Sequence, residues 1–213
     1  MNLGLFGGTF DPIHNAHLFV AEAARVALRL DRVIFLPTRG AHYRDAPVAS
    51  VDQRVAMLRL AIASNVHFAV DGADLVPEAT GYTADLLPRL RQAYPGDRFT
   101  FIVGGDSLVE WTWQRFDAVV AALDEFAIAP RAARAPERVA AFIASLGEQQ
   151  RVKFRLLDLP ALSGSGSAVR AQLARGGSVR YLVPEAVHRY IQDFGIYRGS
   201  RTLSELHPAH GPA

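Results

Sequence analysis

Short runs of consecutive apolar residues alternate along this chain with longer stretches in which apolar positions recur every three or four residues. The runs at 2–6, 33–37, 66–70, 99–103, 125–129 and 153–158 predict strands. Cores such as Val33-Ile34-Phe35-Leu36 and Phe99-Thr100-Phe101-Ile102-Val103 show little polar alternation, as expected of strands covered on both faces. The periodic stretches predict helices at 15–30, 51–64, 83–93, 116–123, 135–146, 168–175 and 185–193. Each lies between two strands or after the last, which is the order of βαβ units feeding a parallel sheet. The predicted class is α/β: a Rossmann-like doubly wound parallel sheet with helices on both faces and a small C-terminal helical portion at about 163–198.

End signals support these elements. Ser50 followed by Gln53 matches a capping box, and Pro184 suits a first helical turn, where no N–H is needed. The run Ser163-Gly164-Ser165-Gly166-Ser167 has the composition of a linker, but it leads directly into an amphipathic helix. Residues 1–198 therefore read as one domain, with 199–213 a flexible tail.

Composition narrows the classes. With 50% hydrophobic and 21% charged residues, the chain has the balance of a soluble globular protein. The net charge of +2 comes from 23 basic and 21 acidic residues spread along the chain, with Lys153 the only lysine, so no nucleic-acid partner is expected. No cysteine is present, which excludes disulfides, thiolate metal sites and cysteine nucleophiles. The first residues lack a targeting pattern and no segment has spanning length, so a cytoplasmic protein without a membrane partner is expected.

Candidate chemistry begins at the end of the first strand. Gly7 and Gly8 precede a helix, so their backbone N–H groups can approach a ligand at the sheet edge, where phosphates bind. The spacing is neither the dinucleotide fingerprint nor a P-loop. His14 and His17, three residues apart at the helix start, can grip one anion beside the positive end of the helix dipole. Two solvent-facing histidines, or a metal pair, are the other readings, but no acidic cluster at ligand spacing accompanies them.

The segment from Gly7 through Thr9, Phe10, Asp11 and His14 to His17 resembles the phosphate signature of the nucleotidyltransferase superfamily that includes bacterial nicotinate mononucleotide adenylyltransferases. The resemblance implies an enzyme that moves AMP from ATP to nicotinate mononucleotide, forming nicotinate adenine dinucleotide and pyrophosphate in NAD biosynthesis, with Mg²⁺ accompanying the ATP. In such a protein His14 and His17 hold the ATP phosphates without a covalent intermediate, Gly7, Gly8, Thr9 and Phe10 line the ATP site, and Asp11 lies toward the acceptor. Ala16 stands where the family has glycine, which raises the question of whether its methyl disturbs a close approach.

Other segments carry the same resemblance. Ser165-Gly166-Ser167-Ala168-Val169-Arg170 is similar to the family's Ser-x-Ser/Thr-x-x-Arg element: two hydroxyls at a helix start and an arginine fork for the phosphates. Gly81-Tyr82-Thr83 resembles the element that recognises nicotinate, and Trp113, or its neighbour Trp111, the tryptophan that stacks on the pyridine ring. Gly104 and Asp106 follow a buried strand in a segment resembling the nucleotide site, where Asp106 is read as a ribose acceptor or an aid to hydrated Mg²⁺. His42 and Arg44, in a loop that departs from the usual pattern, and Arg131 are carried over as acceptor-side cations.

The alternatives are a related adenylyl- or cytidylyltransferase acting on nicotinamide mononucleotide or phosphopantetheine, and a nucleotide-binding module with weakened catalysis. A homo-oligomer is left open.

Overall fold

The computed structural model describes residues 1–40, 46–110, 112–130, 136–160 and 164–198. Six strands, β1 (Asn2–Gly8), β2 (Arg32–Pro37), β3 (Phe68–Val70), β4 (Arg98–Gly104), β5 (Glu125–Ala129) and β6 (Phe154–Leu156), form one sheet in the order β3-β2-β1-β4-β5-β6. Every pairing is parallel. This is the doubly wound order: the chain moves outward from β1 in one direction, returns, and moves outward from β4 in the other.

The apolar runs are explained by two cores, one on each face. Phe6, Val33, Phe35, Ile102 and Ala127 face the first, while Leu3, Leu5, Ile34, Phe99, Phe101 and Phe126 face the second. Neighbours along a strand point to opposite sides, so burial of both sides leaves no place for polar alternation. Helices α1 (Asn15–Ala27), α2 (Val51–Ile62), α8 (Gly166–Ala174) and α9 (Glu185–Asp193) supply the first core. The second is covered by α3 (Thr83–Ala93), α4 (Gly105–Glu110), α5 (Phe116–Ala122) and α6 (Pro136–Ser145), and α7 (Glu148–Arg151) leads into β6. None of the described helices is long and apolar enough to cross a membrane.

The boundaries differ from the expected ones for local reasons. Helix α1 stops at Ala27 rather than 30 because Arg29 takes a left-handed φ of 51°, which no continuing helix allows. Strand β3 starts at Phe68 rather than 66, since the Asn65 side chain accepts the His67 N–H at 3.0 Å and closes a turn. Ser165 caps α8, so that helix opens at Gly166, ahead of 168. The short helices α4 and α7 were not expected: α4 opens on Gly105 and has six residues, and α7 spans a single turn, so neither carries a readable period. Residues 199–213 lie outside the described part.

Candidate active site

A cleft of about 960 Å³ opens where β1 and β4 end, at the point where the strand order turns outward both ways. Ligands of doubly wound sheets bind at such a point. Two walls face each other across it.

The first wall begins at the turn after β1. Phe10 adopts a left-handed φ of 49°, and its buried ring lies edge-on to Phe6 and His17, with centroids 5.9 and 5.2 Å away. A Cβ on Gly8 would stand 3.0 Å from that ring, so the bare glycine is what lets the turn close. His14 is the extended N-cap of α1 and stacks on His17, ring centroids 3.6 Å apart at 19°. The His14 backbone N–H donates to Nδ1 of His17 at 3.3 Å. A neutral imidazole accepting at Nδ1 carries its hydrogen on Nε2, so His17 holds a donor on its other nitrogen.

Helix α8 completes this wall. The Ser165 hydroxyl accepts the Ala168 N–H at 3.1 Å, and Ser165, Ser167 and Arg170 line the cleft together with Gly7, Gly8, Thr9, His14 and His17. The Ala16 methyl faces Gly164, where an added Cβ would lie 3.2 Å away. Two small residues thus meet, and the alanine is absorbed by the facing loop.

Behind the wall lies a set of buried charges. The Asp11 carboxylate, expected on the acceptor side, is turned into the protein. It accepts the N–H groups of Val48 at 2.8 Å and Ala49 at 3.1 Å, and the Tyr197 hydroxyl at 2.5 Å. Arg170 donates through Nη1 to the Asp11 carbonyl at 2.6 Å and lies 3.6 Å from its carboxylate. Arg54, fully buried on α2, donates to the carbonyls of Thr9 at 2.6 Å and Arg39 at 3.2 Å. Burial lowers the Arg54 pKa, against the opposing pull of Asp11, and raises that of Tyr197, with the bond to Asp11 adding to the rise.

The second wall is the lead-in to α3, with Trp113 beside it. Tyr82 is the extended N-cap and Thr83 the first helical residue. The Thr80 hydroxyl donates to Asp85 at 2.6 Å and accepts the Tyr82 N–H at 3.3 Å, and Arg115 pairs with Asp85 from across. Gly81 has φ +74°, and a Cβ there would lie 2.9 Å from the Gly40 carbonyl. Asp74 is only 5% exposed on this wall. Its pKa is pushed up from 3.8 to about 6 by burial, against the Arg89 charge and the Gly81 N–H that it accepts, with Asp85 adding to the rise. Arg89 is itself tied to the carbonyls of Ala73 and Glu78, at 3.2 and 3.3 Å. Trp113 lies edge-on to Phe101, Phe116 and Phe126, and its buried indole N–H finds no hydrogen-bond partner among the described residues.

Of the described residues singled out in the sequence, the cleft gathers all but one. Asp106, in the first turn of α4, does not line it, although Gly104 and Ser107 do. His42, Arg44, Arg131 and Trp111 lie outside the described residues. Arg54, Asp74, Gly164 and Tyr197 were missed. Arg54 carried a signal: it shares with Met57 and Leu58 the buried stripe of α2, where a charge needs a polar reason.

Known proteins share both the sequence and the fold of this chain. The cytidylyltransferase-like family model matches residues 5–171. A protein of Exiguobacterium sibiricum named probable nicotinate-nucleotide adenylyltransferase is 36% identical over 92% of this chain and 99% of its own length. One of the same name from Neisseria meningitidis serogroup B is 38% identical over 92% and 98%. Among solved structures, Plasmodium falciparum nicotinic acid mononucleotide adenylyltransferase complexed with NaAD superposes with a TM-score of 0.75 at 20% identity, covering 92% of this chain and 97% of that one, which shows the shared fold. Sequence likeness over nearly the whole chain, together with that fold, means that this chain belongs to the nicotinate-nucleotide adenylyltransferase family of cytidylyltransferase-like proteins.

Proposed function

We propose that the chain transfers the adenylyl group of ATP to nicotinate mononucleotide, releasing pyrophosphate, with residues 1–198 as one catalytic domain working in the cytoplasm. The observation that carries this reading is the single cleft whose one wall bears the histidine pair, the glycine turn and Arg170, and whose other wall bears Tyr82, Thr83 and Trp113. A phosphate grip and an aromatic, amide-rich wall thus face each other across a space large enough for two nucleotides to meet.

A phosphate oxygen of the acceptor attacks the α-phosphorus of ATP in line. A new P–O bond forms as the bond to the β-phosphate oxygen breaks, and pyrophosphate leaves with that electron pair. The attacking oxygen is already ionised, so no general base is needed. His17 donates to the oxygens on which charge builds, and His14, stacked on it, keeps that ring in place. Arg170 spends Nη1 on Asp11 and offers the rest of its fork to the departing phosphates. Gly7, Gly8 and Thr9 let the triphosphate approach the backbone. Mg²⁺ arrives on ATP as part of the substrate and offsets phosphate charge, and no group of three or more ligand-type side chains gathers among the described residues to hold a separate ion. On the other wall, the N–H groups at the start of α3 suit the nicotinate carboxylate, with Trp113 beside the ring.

The test is pyrophosphate release with Mg–ATP across nicotinate mononucleotide, nicotinamide mononucleotide and phosphopantetheine. Turnover should be fastest with nicotinate mononucleotide. Preference for another acceptor would overturn the acceptor assignment, and tight ATP binding without acceptor-dependent release would overturn catalysis.

A further inference from the structure

The buried charges behind the phosphate wall do not balance. Asp11 supplies one negative charge against the guanidinium groups of Arg54 and Arg170, and Tyr197 adds a neutral donor. Arg54 is sealed in, whereas the Arg170 side chain is 32% exposed and lines the cleft. The missing anion is therefore one that enters from the cleft side, next to Arg170.

What keeps Arg170 at that position is how the Asp11 carboxylate is satisfied. One oxygen takes Ala49 N–H and the Tyr197 hydroxyl, and the other takes Val48 N–H. With three donors in place, the carboxylate leaves the guanidinium at 3.6 Å, close but not clamped. A buried carboxylate short of a donor is costly and draws in the nearest cation. Remove the phenol hydroxyl, and Arg170 is the group within reach to replace it. The backbone supports this purpose. Tyr197 sits at φ 65°, a conformation unfavourable for a non-glycine residue, and it does so while its ring is buried and its hydroxyl reaches Asp11.

We propose that Tyr197 is a positioning residue for the phosphate site: by donating to Asp11 it keeps Arg170 turned to the cleft, so the segment after α9 sets the affinity for polyphosphate. The inference rests on the assignment of Arg170 to the ATP phosphates.

The experiment compares wild type with Tyr197→Phe, with Tyr190→Phe as a control, since Tyr190 packs on Phe194 in the same C-terminal region but away from Asp11. Equilibrium binding of Mg–ATP and of inorganic pyrophosphate is measured by calorimetry, and KM is measured for each substrate. Tyr197→Phe should weaken ATP and pyrophosphate binding about tenfold, the loss of one charge-assisted contact, and leave the acceptor KM within about twofold. Tyr190→Phe should leave all three unchanged. Equal losses for ATP and acceptor, or ATP binding within twofold of wild type, would overturn the proposal. Should Tyr197→Phe not fold, Gly166→Ala tests the same link: its Cβ would press on the Asp11 carbonyl at 2.8 Å and on Arg170 at 3.3 Å, and the same split is expected. Wild type that binds pyrophosphate and ATP but turns over no acceptor overturns only the catalytic reading, because the split in binding is still measured. Wild type that binds neither overturns both.

Discussion

The phosphate wall takes most of its polar groups from one continuous run, residues 7–17, and braces that run from behind with buried charge, whereas the acceptor wall is gathered from the lead-in to α3, the loop after β3 and the residues after α4. The first wall needs close backbone approach and fixed donors, because charge builds on phosphate oxygens during transfer. A strand–turn–helix unit supplies both within a few residues. In the proposed reaction the second wall receives a ring and a carboxylate whose charge does not change, so separate loops serve as long as they are staked to one another. The chemical step should therefore depend on the first wall and selectivity on the second.

The sharpest break of that contrast is His17→Ala. It removes a donor to developing charge and costs the helix start one N-cap hydrogen bond and its ring contacts, while the buried anchors of α1, Ala21 and Ala24, stay in place. Turnover should fall by roughly 10²–10³ with the acceptor KM nearly unchanged, read from steady-state pyrophosphate release. The melting temperature should move by only a few degrees. Retained turnover would remove His17 from the chemistry.

Gly81→Ala is expected to be smaller and to fall on the other wall. The glycine holds φ +74°, and a Cβ there would stand 2.9 Å from the Gly40 carbonyl oxygen, so a methyl must shift either the α3 lead-in or the 38–40 loop. The acceptor KM should rise about tenfold, an order set by a displaced hydrogen-bonding wall, while the ATP KM stays within about twofold. A rise in both would mean that the two walls are mechanically one.

The difference between the walls also decides what could be read from the sequence. Residues 7–17 were legible because a single turn holds the glycines, Thr9 and both histidines, and the alternating runs fixed the sheet because both of its faces are buried. Asp11, read toward the acceptor, lines the cleft with its carboxylate held by Val48, Ala49 and Tyr197, and nothing local in a turn announces partners that lie so far away in sequence. The question raised by Ala16 is answered by Gly164, which its methyl faces within the same wall, a complement far away along the chain that the motif alone does not reveal. Asp74 gave no signal, because its burial comes from the packing of the loop after β3 against the start of α3.

Asp74 allows the finest test, since it marks the acceptor wall through pH. Its folded pKa of about 6 stands above the ordinary 3.8, chiefly through burial. Between these values the folded state binds more protons at this site than the unfolded chain does, so this group makes stability fall as pH rises from about 4 to about 6, with no further change above that window. Asp74→Asn keeps an oxygen to accept the Gly81 N–H and removes the titration. The variant should therefore match wild type in its stability trend near pH 4, gain on it through the window, and hold a constant lead above it, worth up to about 3 kcal/mol before screening by water at the cleft. Melting curves across pH 4–8 read this directly. The ATP KM should not follow the pH trend, because Asp74 lies on the wall away from the phosphates; a difference between variant and wild type that stays flat across the window would mean that the carboxyl is not buried in its charged form and that Gly81 is held by something else.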